Sequence, residues 1–213
     1  MSFRDYQKEQ REKVSRSLMD SALSLAAAQG YASLSLRSVA REAGIAPTSF
    51  YRHFRDMDEL GLALAEQAED VLRACWKGFF SKAAAYSKSP GASVDPAEAF
   101  ARLLAESLLA CVAENPGLMQ LFFQERTGSS PAMRRAISRA MDGFTDVLSG
   151  EIFRFFATLG TQIADPRMHA EIVMAVAQSA CLDLAVDPDA ELPRAVEDLS
   201  RKLVHVLSAA GSR

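Results

Sequence analysis

The chain repeatedly opens a helix-like segment with a capping side chain followed at once by proline. Each segment then places apolar residues at spacings of three and four, the period of an amphipathic helix. The four pairs are Asp95-Pro96, Asn115-Pro116, Ser130-Pro131 and Asp165-Pro166. A last helix begins at Asp187-Pro188 or at Leu192-Pro193. Because strong helix formers dominate and no alternating β-branched run of strand length occurs, the sequence predicts an all-α fold of about nine helices.

The N-terminal part of the chain predicts two helices with readable ends. A first helix is expected from Lys8 to Gln29, with Gly30 as its C-terminal stop. Ser35 can cap a second helix, and Gly44 ends it. Together these helices begin a small N-terminal domain.

Two more helices are predicted before a loop. Pro47 suits the first turn of a third, very short helix that ends near His53. The capping box Asp56-Met57-Asp58-Glu59 opens a fourth helix that can run to about Tyr86. The segment from Ser87 to Val94 is rich in serine, glycine and proline, which predicts a loop.

Charge is distributed unevenly along the 213 residues, which carry a formal net charge of −3. Residues 1–55 contain nine Lys and Arg against five Asp and Glu, a balance of +4. Residues 56–213 contain fifteen against twenty-two, a balance of −7. A basic head on an acidic body indicates that the head meets a polyanion. Helix length also changes near Arg55, so we predict two domains, 1–55 and 56–213.

The apolar residues are too dispersed for a predicted membrane span. The longest uninterrupted apolar run has six residues, whereas a spanning helix needs about 18 or more. The first residues are polar, so no secretory signal is predicted. We therefore expect a cytoplasmic protein that does not enter a membrane.

The cysteines lie far apart in apolar segments, at Cys75, Cys111 and Cys181. No C-x-x-C pair is present. We predict reduced thiols that pack as small hydrophobic residues, and a redox role is the alternative.

Residues 34–54 combine a short helix, a glycine turn and a second short helix. The apolar positions that let the two helices pack are Val39, Ala40, Ala43, Ile45, Phe50 and Phe54. The positions left facing outward are Thr48, Ser49, Tyr51, Arg52 and His53. Their hydroxyl, guanidinium and imidazole groups suit phosphate oxygens and base edges, and the helix N-terminus at Pro47 adds a partial positive charge. This pattern predicts a helix-turn-helix for the DNA major groove. An ordinary helical hairpin with a solvated polar face is the alternative.

The segment from Leu36 to Leu60 closely resembles the DNA-binding signature of the TetR-family repressors, and the resemblance extends over residues 8–65. It implies a transcriptional repressor that binds double-stranded DNA. The DNA-binding residues that it implies are Arg37, Pro47, Thr48, Ser49, Tyr51, Arg52 and His53. Tyr51 and His53 would hold phosphates, and Arg37 would contact the backbone from the preceding helix.

The sequence leaves two roles open for each of two nearby residues, Ser35 and Arg55. Ser35 caps the second helix or contacts a phosphate, and the cap is favoured. Arg55 reaches the DNA backbone or pairs with Asp56 or Asp58.

The variant from Gly44 to Leu62 is similar to a narrower group, the DesT/FabR type regulators of unsaturated fatty acid synthesis and desaturation. The segment from Leu121 to Gly128 is also similar to that group. This resemblance implies a long-chain acyl-CoA effector, with saturated and unsaturated chains distinguished in a hydrophobic tunnel.

The body is rich in aromatic residues on several predicted helices. A large helical body of this kind can enclose an apolar cavity, and a plain aromatic core is the alternative. The candidate ligand-binding residues are Trp76, Phe79, Phe80, Phe100, Leu104, Phe122, Phe123, Arg126, Phe144 and Phe156. Arg126 is the candidate cation for the CoA phosphates. A basic patch on the next helix, Arg134, Arg135 and Arg139, is the second candidate or a solvated face.

The last two predicted helices carry small and aliphatic residues that suit close helix packing. In the resembled family such helices form a two-fold dimer through a four-helix bundle. A homodimer would place two recognition helices about one DNA turn apart and read a palindromic operator.

Enzyme motifs are absent from the sequence: it contains no nucleophile elbow, P-loop, dinucleotide fingerprint or His-Glu-x-x-His. Neither catalytic residues nor a metal site nor a cofactor is predicted. The alternatives to an acyl-CoA sensor are a TetR-type repressor of a different hydrophobic molecule, as in efflux control, and a helical lipid-carrier module.

Overall fold

The computed structural model describes residues 3–88, 95–187 and 189–208. Within these ranges the chain forms nine α-helices and one 3₁₀ turn, Tyr31–Ser33, and contains no strand. The helices are α1 (Phe3–Gln29), α2 (Leu36–Glu42), α3 (Pro47–Phe50), α4 (Met57–Lys88), α5 (Pro96–Glu114), α6 (Pro116–Gln124), α7 (Pro131–Thr158), α8 (Pro166–Val186) and α9 (Leu192–Ser208). The predicted all-α fold is confirmed.

All four cap-and-proline pairs begin a helix, which is the clearest success of the sequence pattern. The carboxylates of Asp95 and Asp165 accept hydrogen bonds from backbone N–H groups in the first turns of α5 and α8. The hydroxyl of Ser130 does the same for α7. Asn115 acts differently, because its side-chain amide donates to the carbonyl of Cys111 at 3.0 Å and closes the end of α5.

Several helix ends differ from the prediction. α1 begins at Phe3 rather than Lys8, and α9 begins at Leu192, the second of the two predicted starts. α4 continues to Lys88, so the first two residues of the predicted loop are helical and its remainder lies outside the described residues. α3 ends at Phe50, and residues 51–53 form a turn instead of the predicted last helical residues.

The first compact unit comprises residues 1–68 and 120–138. Its core includes Leu18, Ala22, Val39, Phe50 and Leu60, which are fully buried. α1 packs on α2, and α2 packs on α3. This unit extends beyond the predicted boundary at residue 55, because side chains from residues 120–138 contact the first turns of α4.

Two contacts show why those later residues join the first unit. The hydroxyl of Ser130 donates to the carboxylate of Asp58 at 2.8 Å. The α-carbon of Gly61 has so little space beside Met133 that an added Cβ would lie 2.4 Å from its sulfur. Neither contact is visible from sequence, since the partners are separated by about 70 residues.

The second compact unit comprises residues 69–119 and 139–213. α5 packs on both α8 and α9, and these two also pack on each other. Among the described residues α8 alone is long and apolar enough to cross a membrane by length and composition. Val173, Ala177 and Cys181 of this helix are buried in the unit, and buried core helices meet the same criterion.

Candidate nucleic-acid interface and aromatic core

Side-chain hydrogen bonds and a glycine define the ends of α2. The hydroxyl of Ser35 accepts from the N–H of Ser38 at 3.1 Å, and the N–H of Ser35 donates to the hydroxyl of Ser38 at 3.0 Å. This reciprocal box confirms Ser35 as the cap. Gly44 has a φ of +70°, the left-handed conformation that glycine adopts at helix ends. The turn to α3 is therefore fixed by local chemistry.

α3 is a single turn that a buried phenylalanine anchors. Phe50 has no exposed surface, and its ring packs 5.8 Å from that of Phe54 and 6.2 Å from that of Tyr51, measured between centroids. Pro47 begins the helix, as predicted. Because Phe50 points inward, the other side of α3 faces away from the core of the unit.

None of the predicted DNA-binding residues is buried. Arg37, Pro47, Thr48, Tyr51 and Arg52 are exposed, and Ser49 and His53 are half-buried. Tyr51 is 64% exposed, and its ring contacts that of Phe50 edge-to-face. The exposed set combines cationic groups, hydroxyls and an aromatic ring, the side chains that proteins use on phosphates and base edges.

Two residues of α1, which the sequence analysis did not include, position the end of this surface. The hydroxyl of Ser15 lies 3.0 Å from Nδ1 of His53, and the guanidinium of Arg11 donates to the carbonyl of Arg52 at 3.0 Å. Burial lowers the pKa of His53, and the charges of Arg11 and Arg52 lower it further. His53 is therefore a neutral imidazole near pH 7 when no anion is bound.

Arg55 does not pair with Asp56 or Asp58, as one interpretation of the sequence expected. Its Nε lies 3.1 Å from Oε2 of Glu59, and its backbone N–H donates to the same oxygen. That backbone hydrogen bond is the main cause of the lowered pKa of Glu59. Asp56 instead caps α4 by accepting from the N–H of Glu59 at 2.8 Å. Arg55 stays exposed at the edge of the predicted interface.

In the second unit, eight aromatic rings form a continuous cluster. Six of them are predicted ligand residues: Trp76, Phe79, Phe80, Phe100, Phe144 and Phe156. Phe155 and Tyr86, which were not among the predicted site residues, complete it. Phe100 is central, with ring centroids 5.2 Å from Phe79 and 5.8 Å from Phe156. Leu104 is buried one turn along α5 from Phe100.

The remaining predicted ligand residues belong to the first unit. Phe122 and Phe123 are buried and contact each other edge-to-face at 5.6 Å. Arg126 is exposed in the turn after α6. Arg134 donates to the carbonyl of Gly128, so one member of the predicted basic patch stabilises this turn. Arg135 remains exposed, as does Arg139 of the second unit.

A buried carboxylate in the same turn was missed by the sequence analysis. Glu125 is 8% exposed, and its Oε2 has no hydrogen-bond partner within the described part of the chain. Burial raises the pKa of this carboxyl. A lone acidic residue in an aromatic segment gives no sequence signal of burial, because acidic residues are normally exposed.

Grooves reach both ends of the aromatic cluster. One, of about 360 Å³, lies between α4 and α5 and is lined by Phe79 together with Cys75, Lys82 and Cys111. Another, of about 260 Å³, is lined by Phe156 with residues at the start of α5 and the end of α9. The rings between these grooves are nearly all buried.

The short exposed α3 packs on α2 through a buried phenylalanine, which is the helix-turn-helix arrangement that many DNA-binding proteins use. Residues 18–64 match the family model described as bacterial regulatory proteins, tetR family. The N-terminal part of the chain is therefore similar to the DNA-binding domain of that family.

Solved structures share the fold at low sequence identity. The fatty acid degradation regulator FadR from Bacillus halodurans is 17% identical, with a TM-score of 0.66 over 90% of this chain and 94% of that chain. A putative transcriptional regulator from Pseudomonas aeruginosa PAO1 is 18% identical, with a TM-score of 0.67 over 93% and 91%. FadR from Bacillus subtilis in complex with stearoyl-CoA is 17% identical, with a TM-score of 0.64 over 93% and 99%.

Proposed function

We propose that this regulator acts in the cytoplasm as a repressor of genes for unsaturated fatty acid synthesis or desaturation. In this proposal a long-chain acyl-CoA bound in the second unit changes its affinity for a palindromic operator. The observation that carries the ligand part is the continuous aromatic cluster between two grooves. The stearoyl-CoA complex of the Bacillus subtilis protein supports a ligand of this class in the same fold.

On the DNA side, α3 enters the major groove with Thr48, Ser49 and Arg52 facing base edges. Tyr51 and the second ring nitrogen of His53 contact phosphates, because Nδ1 of His53 already faces Ser15. Arg37 contacts the backbone from α2, and the N-terminal turn at Pro47 adds a partial positive charge. These contacts are electrostatic in part, so affinity falls as salt rises.

On the ligand side, the acyl chain enters at the groove beside Phe79 and extends past Phe100 toward Phe156. Each buried methylene contributes about 0.8 kcal/mol. Because Phe79, Phe100 and Phe156 are almost fully buried, their side chains must change conformation to admit the acyl chain. Lys82 lines the entry groove and donates to the hydroxyl of Ser107 at 3.3 Å, so it can face a phosphate of the CoA moiety.

A straight saturated chain and a chain bent at a cis double bond displace the rings of the aromatic cluster differently. A ligand shifts an equilibrium only by its differential affinity for the two conformations. α4 contributes residues to both compact units. Ligands that favour different positions of α4 therefore change operator affinity differently.

The proposed homodimer uses α8 and α9. Met168, Ile172 and Val186 leave 47%, 41% and 46% of their surfaces exposed. These residues fall on one face of α8 together with the small residues Ala175 and Ser179. An exposed apolar stripe of this kind suits a second copy of the helix, and two-fold symmetry would match a palindrome.

The test is fluorescence anisotropy on an operator first selected from random duplex DNA. It is run at two salt concentrations, with palmitoyl-CoA, oleoyl-CoA or neither. Salt-sensitive binding that the two thioesters change to different extents supports the full proposal. Unchanged binding with both thioesters removes the acyl-CoA effector and favours a different hydrophobic molecule. A protein without salt-dependent DNA affinity would instead be a lipid carrier.

Matched variants separate the two parts. Arg52→Ala should weaken operator binding, whereas Arg102→Ala removes an equal charge from an exposed ion pair with Glu106 and should not. Phe100→Leu should reduce the response to acyl-CoA, whereas Phe153→Leu changes the same residue type at a position that is 59% exposed and should leave it intact.

A further inference from the structure

Two cysteines face each other across the groove between α4 and α5. The thiol of Cys75 donates to the carbonyl of Ser107 at 3.2 Å, and the thiol of Cys111 lies 4.0 Å from the carbonyl of Val71. Cys75 follows Val71 by four residues, and Cys111 follows Ser107 by four, so each thiol contacts the helical turn that precedes the other. This reciprocal arrangement brings both sulfur atoms to the same place between two antiparallel helix segments.

The two thiols also interact directly. The neighbouring Cys75 thiol lowers the pKa of the Cys111 thiol. The Cys111 thiol, together with burial, raises the pKa of Cys75. The first proton therefore leaves Cys111. A thiolate of this kind is the nucleophilic form of cysteine.

Both cysteines line a groove at the surface of the second unit. This groove of about 360 Å³ is also lined by Lys82, Glu106 and Asn115. Cys75 is half-buried, and Cys111 is buried with 9% of its surface exposed. Cys181 differs, because it is fully buried and does not line the groove, and burial raises the pKa of its thiol.

The donor set favours thiol chemistry over metal binding. Within the described residues, no group of three or more His, Cys, Asp or Glu side chains is arranged to hold a metal ion. Two neighbouring thiols, one of which has a lowered pKa, have the arrangement of a cysteine pair that oxidises and then resolves to a disulfide.

We propose that Cys75 and Cys111 form an oxidation site at which a small hydroperoxide produces a disulfide between α4 and α5. The Cys111 thiolate attacks the peroxide oxygen, the O–O bond breaks, and an alcohol or water leaves as Cys111 becomes a sulfenic acid. The sulfur of Cys75 then attacks the sulfenic sulfur, the S–O bond breaks, and hydroxide leaves with the proton of Cys75 as water. Two thiols and one hydroperoxide give one disulfide, one alcohol or water molecule, and one water molecule.

This proposal does not require the acyl-CoA proposal, although both concern the groove between α4 and α5. The covalent bond would fix α4 to α5 beside Phe79, and it would close a long loop of the chain, which stabilises a fold chiefly by restricting the unfolded state. The oxidised protein should therefore unfold at a higher temperature than the reduced protein, and a thiol reductant should reverse the shift.

The experiment treats the full-length protein with hydrogen peroxide and maps its peptides by mass spectrometry without reduction. We expect loss of two of the three titratable thiols, and a peptide pair joined through Cys75 and Cys111 that weighs two hydrogen atoms less than its separate parts. Cys75→Ser and Cys111→Ser should each abolish the joined pair. Cys181→Ser, the matched control, should retain it.

Serine suits the test because its hydroxyl can keep the contact with the Ser107 or Val71 carbonyl.

The proposal is overturned if the thiols remain unmodified, or if Cys111 proceeds to a sulfinic acid without pairing. It is also overturned if the joined peptides come from two different protein molecules, which a mixture of isotopically labelled and unlabelled chains would reveal.

Discussion

Tyr51 in the first unit and Trp76 in the second are both large aromatic residues at predicted sites, yet Tyr51 is 64% exposed and Trp76 is 5% exposed. The first unit buries one anchor, Phe50, so that neighbouring polar groups face outward. In the second unit the predicted site residues themselves form the core. A surface for a large rigid polyanion can be formed in advance, whereas a site for an apolar chain is filled by its own side chains until the chain displaces them.

The largest effect expected from this comparison follows removal of the anchor. Phe50→Ala should lower the free energy of unfolding by about 3–5 kcal/mol, because the side chain is fully buried and leaves a cavity. Urea denaturation measures this change. Phe153→Ala provides the control, since this ring is exposed and its loss should cost little. Equal losses in both variants would contradict the assigned role of Phe50.

A smaller, functional effect is expected at the exposed ring. Tyr51→Phe should weaken operator binding by about 1.5–3 kcal/mol, the value of a hydrogen bond to a charged group, if the hydroxyl contacts a phosphate. Its unfolding free energy should stay within about 0.5 kcal/mol of the wild type, because only a surface hydroxyl is lost. Anisotropy and denaturation together test this separation. Unchanged affinity would remove Tyr51 from the interface.

Glu125 is a buried charged residue of the first unit, whereas Arg37 and Arg52 in the same unit are exposed. Its pKa is raised on folding, so its contribution to stability is present below the unfolded pKa and is lost as pH rises through the folded pKa. Glu125→Gln should therefore stabilise the protein near pH 7 by about 1–2 kcal/mol, and the gain should shrink toward pH 4. Denaturation at a series of pH values measures it, and a gain independent of pH would contradict the explanation.

The smallest expected effect is a pH dependence of DNA binding at His53. Its pKa is lowered in the free protein, and a nearby phosphate would raise it, so binding takes up a proton. Affinity should increase a few-fold, roughly 0.5–1 kcal/mol, as pH falls from 7.5 to 5.5. His53→Gln should flatten this profile while keeping a side chain that can reach Ser15. An identical profile in the variant would assign the effect to another group.

Local chemistry explains what the sequence predicted well. The helix starts depend on a cap and a proline within a few residues, and Ser35 and Gly44 act on their own turns. The outward position of Tyr51 follows from the helical spacing to Phe50. These features require no knowledge of distant residues.

What the sequence did not predict depends on long separations in the chain. Ser15 meets His53 across 38 residues, and Ser130 meets Asp58 across 72. The second pair explains why the first compact unit does not end at residue 55. The Arg55–Glu59 pair is an exception, because a spacing of four between opposite charges is a recognised ion-pair pattern. The assignments of DNA-contacting and ligand-contacting residues remain predictions.

The single turn of α3 also determines how the recognition surface opens. A helix this short fixes more backbone angles than it gains hydrogen bonds, so it is unstable without its packing. The amides of His53 and Phe54, which donate to the carbonyl of Phe50, should therefore exchange with solvent only when the pocket around Phe50 opens, in one event with the buried parts of α1 and α2. Operator binding would then slow hydrogen exchange at Leu18 and Ala22, which are fully buried in the core of the first unit, as much as at the residues proposed to contact DNA.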